Sequence, residues 1–129
     1  MINFAIMTMV TKHIRHTESA LQKQCVKWFR YQYDNLAFNL IAIPNGGARS
    51  VVEAAIMKGE GVTAGAADLF LFVPNSRYHG LGIEMKSMGG TWRDTQKRWA
   101  KCIEHVGYKY VICRSFEQFQ NEINDYLNS

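Results

Sequence analysis

At 129 residues the chain has room for one hydrophobic core and needs no disulfide or metal staple. Apolar residues make up 47% and charged residues 20%, the balance of an ordinary soluble globular domain, which excludes a disordered or low-complexity chain. The net charge of +4 leans mildly towards anionic partners, nucleic acid among them, without selecting one.

Residues 1–10 are apolar but lack the basic flank of a signal peptide and are too few to span a bilayer. Residues 1–16 are expected to be an arm, an edge strand or a dimer contact, set apart from a single domain over 17–129. Cys25, Cys102 and Cys113 are widely spaced in apolar-periodic segments with no C-x-x-C. They read as buried free thiols of a reducing compartment, not as a zinc ribbon or disulfide framework. The expected location is the cytoplasm, with no membrane association.

From Thr17, a candidate N-cap, Leu21, Cys25, Trp28 and Phe29 recur at helical spacing, with Glu18 at one end near the core face. A strand is expected over 37–43, closed by the turn signal Pro44-Asn45-Gly46-Gly47. Ser50 can cap a short helix over 51–58, stopped at Gly59. Residues 65–86 predict a hairpin: two apolar strands, Asp68 opening the first, Glu84 and Lys86 ending the second. A helix is expected over 92–106, with Trp92, Trp99, Ile103 and Val106 on one stripe and Gly107 as its stop. A strand over 108–113 and a last helix capped by Ser115 complete the chain. This order predicts a mixed α/β sheet flanked by helices, with a crossover that permits a parallel pair.

The chemistry concentrates at Asp68, Glu84 and Lys86. Strand side chains alternate, so Glu84 and Lys86 share a face. Two carboxylates and an ammonium at the rim of a buried sheet are costly without a partner. A divalent cation and a phosphate would satisfy all three, and phosphodiester hydrolysis needs both a cation that activates water and positive charge near the developing anion. An acid-x-Lys pair alone is usually a surface ion pair; here the buried flanks of both strands weigh against that.

Other features carry less. Asn45 and Gly46 make a turn whose backbone N–H groups, with Arg49 nearby, could hold a phosphate. Arg93, Lys97, Arg98 and Lys101 form a basic side on the helix after the motif, either a solvated face or a phosphate track. Gly59-x-Gly61 precedes a strand and lacks a following Lys-Ser/Thr, so it is rejected as a nucleotide loop. His13 and His16 lack a third ligand nearby in sequence, His79 reads as exposed in the hairpin turn, and the tryptophans read as core.

The ordered set Glu18 with Leu21 and Gln22, Pro44-Asn45-Gly46-Gly47, Gly61-Val62-x-Ala64-Gly65, Asp68-Leu69, Ile83-Glu84-Met85-Lys86-Ser87, Gln96 with Trp99, and Gly107-Tyr108 resembles the VRR-NUC family of the PD-(D/E)xK nuclease superfamily. It covers nearly the whole chain, and its order is more specific than any member alone. One departure is Ala67, where the family usually has proline. The resemblance implies a restriction-endonuclease-like fold and a Mg2+- or Mn2+-dependent DNA endonuclease. It implies Asp68, Glu84 and the Met85 carbonyl as metal ligands, Lys86 as the water-positioning and charge-stabilising group, and Gln96 reaching back to the site. Glu18 would be a further acid, acting directly or through water. Stand-alone members resemble junction-resolving enzymes, which implies branched DNA (junction or flap, as in repair) as substrate and a homodimer. The competing reading is a non-catalytic nucleic-acid-binding module on the same fold; a nucleotide-binding regulatory domain would need a phosphate loop that is absent from the sequence.

Overall fold

The computed structural model describes residues 4–44 and 50–129. A long helix α1 (Phe4–Gln32) leads through a 3-10 turn (Asp34–Asn39) into β1 (Leu40–Ala42), followed by α2 (Val51–Gly59). Then come β2 (Leu69–Leu71), β3 (Leu81–Met85), α3 (Asp94–His105), β4 (Lys109–Cys113) and α4 (Phe116–Leu127). The four strands lie in chain order in one mixed sheet. β1–β2 and β2–β3 are antiparallel, and β3–β4, joined across α3, are parallel. The element order is the one read from the sequence.

Alternation along the strands sorts the side chains into two layers. Leu40, Leu69, Leu71, Leu81, Ile83, Met85 and Cys113 join Cys25 and Phe29 of α1 and Phe119, Ile123 and Tyr126 of α4 in the core. Trp28 packs edge-on to Phe116 and Phe119, which ties α1 to α4. Tyr33 donates to Asn124 at 2.5 Å, and the buried Tyr126 hydroxyl donates to the Val73 carbonyl at 2.6 Å. On the opposite face α3 covers the sheet, and Ile103 and Trp99 close over Gly82, which has no side chain to displace them. Glu84 therefore points away from the apolar α1–α4 layer.

The structure differs from the sequence reading at several places. α1 begins at Phe4, so Thr17 is not its cap and residues 4–16 are helix, not an edge strand. The apolar run 37–43 gives only a three-residue strand, because residues 34–39 close a 3-10 turn onto the end of α1. α2 includes Gly59. Ser50 caps it as expected, its hydroxyl accepting from the Glu53 N–H at 3.0 Å. Trp92 precedes α3 and is half-exposed, and Val106 is exposed, so neither belongs to a buried stripe. Cys25 and Cys113 are buried thiols, pushed up to about 12 by burial. Cys102 is exposed, because it faces outward on α3. Among the described residues no helix is long and apolar enough to cross a membrane. Asn45, Gly46 and Arg49, and the side chains of His13 and His16, lie outside the described residues.

Candidate functional site

The register of the hairpin places the two acids. Leu69 pairs with Ile83, so one further step sets Asp68 opposite Glu84, on the face away from the main core. Asp68 accepts the Met85 N–H at 2.7 Å, and its carboxyl and that of Glu84 are close enough to influence each other's ionisation. Lys86 leaves the strand on the same side as Glu84, its Nζ 4.0 Å from Glu84 Oε1. Glu84 and Lys86 are only 2% and 4% exposed, which makes them a buried pair in need of further partners and not a surface bridge. Ala67, beside Asp68, is fully buried, and no residue but glycine has positive φ among the described residues. The missing proline is therefore replaced by an ordinary backbone.

Two helices bring the remaining groups. Gln96, in the first turn of α3, donates Nε2–H to Glu84 Oε1 at 2.8 Å and accepts the Arg93 N–H through Oε1 at 2.9 Å. One side chain thus caps its own helix and holds the acid. Its placement depends on Gly65, whose φ is +90°; a Cβ there would lie 2.3 Å from the Thr95 carbonyl oxygen. From α1, Glu18 Oε1 accepts the Ser87 N–H at 3.2 Å. A Cβ on Gly90 would stand 2.5 Å from that same oxygen. Arg114 Nη1 donates to the Ser87 and Gly90 carbonyls, both at 2.9 Å. The turn after Lys86 is thereby fixed between α1 and the end of β4.

Tyr110 of β4 closes the site from the other side. Its hydroxyl is 3.4 Å from Glu84 Oε2 and accepts the Trp92 indole N–H at 3.3 Å; the two rings stack with centroids 6.1 Å apart. Burial and the Glu84 charge push the phenol well above its ordinary range, so it keeps its proton and donates to Glu84. Asp68, Glu84, Lys86, Gln96 and Glu18 all line one open cleft of about 1120 Å³. Among the described residues no three of His, Cys, Asp and Glu gather closely enough to cage a metal. The adjacent carboxylates Asp68 and Glu84 are the groups able to hold a cation.

Burial first, and then the neighbouring Asp68 charge, pushes Glu84 up to about 8. Burial raises Asp68 as well, against the lowering by the Met85 N–H. A carboxyl raised in the folded state holds a proton that the unfolded chain has already released near its ordinary value of roughly 4.3. Its stabilising effect is complete below that value and is lost as pH climbs to about 8. Denaturant unfolding in chelator is therefore expected to give lower stability at pH 8 than at pH 5. Glu84→Gln, which cannot ionise, should flatten that slope; an equally steep slope in the variant would contradict it.

Arg93 lines the cleft, whereas Lys97, Arg98 and Lys101 do not. Lys97 lies 3.8 Å from Asp94 and over the Trp92 ring. The exposed His79 stacks edge-on to Tyr108. Tyr110 and Arg114 were not anticipated from the sequence. Once the parallel β3–β4 register is known, Tyr110 falls opposite Gly82 and so shares the face of Glu84. The cations on the α1 wall, Lys23, Lys27 and Arg30, were also missed, although their spacing along one helix face could have shown them.

Against known proteins, the family model for the VRR-NUC domain matches residues 8–117. A solved structure described as a VRR-NUC domain protein superposes with a TM-score of 0.75 at 26% identity, covering 86% of this chain and 88% of that one. No curated protein matches significantly. The family match spans most of the sequence, and the superposition covers most of both chains. Sequence and fold thus converge, and the chain belongs to the VRR-NUC family.

Proposed function

We propose that the protein is a Mg2+- or Mn2+-dependent DNA endonuclease that hydrolyses phosphodiester bonds in the cleft floored by Asp68 and Glu84. The observation that carries this reading is the buried pair of facing carboxylates with Lys86 Nζ 4.0 Å from Glu84. Charges in that position destabilise the metal-free fold, so a purely structural role gives no reason for them. The donors suit a hard cation, since Mg2+ takes oxygen ligands, usually one or two protein carboxylates, and keeps several waters. Asp68, Glu84 and the Met85 carbonyl would hold it, with Glu18 at the α1 wall acting directly or through water. When bound, the cation would polarise the phosphate and make a water nucleophilic near neutral pH.

The chain's own groups would do the rest. Lys86 lies beside the phosphate position, where its charge opposes the negative charge that develops as the bond breaks. Gln96 and Tyr110 both donate to Glu84, which fixes the carboxylate plane towards the cleft. We further propose branched DNA, a junction or flap, as substrate and a homodimer as the acting form, because two-fold symmetry sets two sites on opposing strands.

Incubation with plasmid, four-way and flap DNA, with Mg2+, Mn2+ or chelator, tests this directly. Cation-dependent cleavage is expected, fastest on the branched forms. DNA binding with no cleavage under any condition would leave only a non-catalytic binding module and sink the enzyme reading.

A further inference from the structure

We propose that α1 carries a track for the nucleic-acid backbone, in which Lys23, Lys27 and Arg30 bind successive phosphates leading away from Asp68 and Glu84. The inference deepens the proposed function and rests on it for the identity of the ligand.

The three cations recur at i, i+4 and i+7, which keeps them on one side of a helix, and all three line the wall of the cleft that holds the two acids. That wall begins with Glu18, a little more than one turn before Lys23. The carboxylates lining the cleft are Glu18, Asp68 and Glu84, so beyond Glu18 every charged residue of the α1 wall is a cation. Among the described residues, none of the three forms an ion pair with a carboxylate. Arg93, at the N-terminal end of α3, lines the same cleft.

A solvated helix face is the simpler account of such residues. Attraction of Arg30 to the negative end of α1 would explain that residue alone. It does not reach Lys23 or Lys27, and it does not account for their opening into the same cleft as the carboxylates. At a rise of about 1.5 Å per residue the three cations span roughly 10 Å. One strand of duplex presents a phosphate about every 3.4 Å along its axis, so the track spans about three phosphate steps, enough to give each cation one. A backbone held there would extend along α1 from the phosphate at the acids, with Arg93 left to contact the opposite side of the cleft.

Replacing all three by Gln, a good helix former, removes the charge without disturbing α1. Binding of a fluorescein-labelled oligonucleotide duplex in chelator, where cleavage plays no part, is then measured across a salt series. Each lost phosphate contact lowers the slope of log K against log salt by about 0.9. The triple variant is expected to lose about two to three from that slope with an unchanged melting midpoint. The swap Lys23→Arg, Lys27→Arg, Arg30→Lys should retain the wild-type slope. An unchanged slope in the Gln variant, or no binding by the wild type, overturns the track. A lowered slope alongside a wild type that never cuts DNA would retain the track and reject the enzyme.

Discussion

Asp68→Asn is expected to abolish cleavage and cation binding together, whereas Lys86→Met abolishes cleavage and leaves cation binding intact. Asparagine keeps the shape of aspartate, and its carbonyl oxygen can still accept the Met85 N–H that Asp68 holds at 2.7 Å. The hairpin should therefore persist while the site loses one of two facing charges. A buried anion pair relieved by a dication is stabilised strongly; a single carboxylate beside an amide and an ammonium is not. Lys86 acts on the other term. Its Nζ is 4.0 Å from Glu84 and the residue is only 4% exposed, so methionine retains the packing of its stem while removing the charge. Loss of a group aimed at developing negative charge typically costs about 10²–10³-fold in rate. With the ammonium gone the site repels a cation less, so calorimetry should give an equal or tighter dissociation constant. Equal loss of cation binding in both variants would contradict the role assigned to Lys86.

Among the described glycines, Gly65→Ala should have the largest effect. Its φ of +90° lies where an L-residue is strained, a cost of roughly 1–2 kcal/mol. The added Cβ would also meet the Thr95 carbonyl oxygen at 2.3 Å, an approach that backbone on both sides makes hard to relieve. A combined destabilisation of about 2–4 kcal/mol follows, in the range of strained or overpacked sites. For a chain of this size that lowers the melting midpoint by roughly 10 °C. Activity should fall further than stability explains, because the displaced turn of α3 carries Gln96, and with it the hydrogen bond to Glu84. A variant that melts at the wild-type temperature and cuts at the wild-type rate would show that this contact does not position the site.

Where local rules dominate, the fold was legible in the sequence. The hairpin with Asp68, Glu84 and Lys86 follows from alternation and a polar turn, and Ser50 and Ser115 cap the helices they precede. The misreadings occurred where local signals compete. The N-terminal apolar run has no helical punctuation, so the continuation of α1 back to Phe4 was not visible. The run 37–43 suits strand or helix equally, and its closure onto α1 through Leu36 and Tyr33 decided for a 3-10 turn. Tyr110 and Arg114 needed the register of a parallel pair, which no local pattern encodes. The basic residues next to the motif in sequence were favoured over those next to it in space. Arg93 reaches the cleft, but Lys97 turns to Asp94 and Trp92, while α1 supplies Lys23, Lys27 and Arg30.

The parallel pairing of β3 with β4 also bears on the order in which the molecule becomes complete. Glu18, Asp68 and Glu84 leave the ribosome first, and the hairpin that aligns the two acids can close on its own short loop. The Cys113 carbonyl that receives the Lys86 N–H, the Tyr110 hydroxyl on Glu84 and the Arg114 clamp on the following turn all come from β4 or the residue that follows it. That strand pairs only after a crossover, and such distant contacts form slowly. Burial of the two acids thus depends on contacts contributed by residues later in the chain than either of them. The finished site therefore requires the chain through Arg114, far in sequence from the acids it encloses.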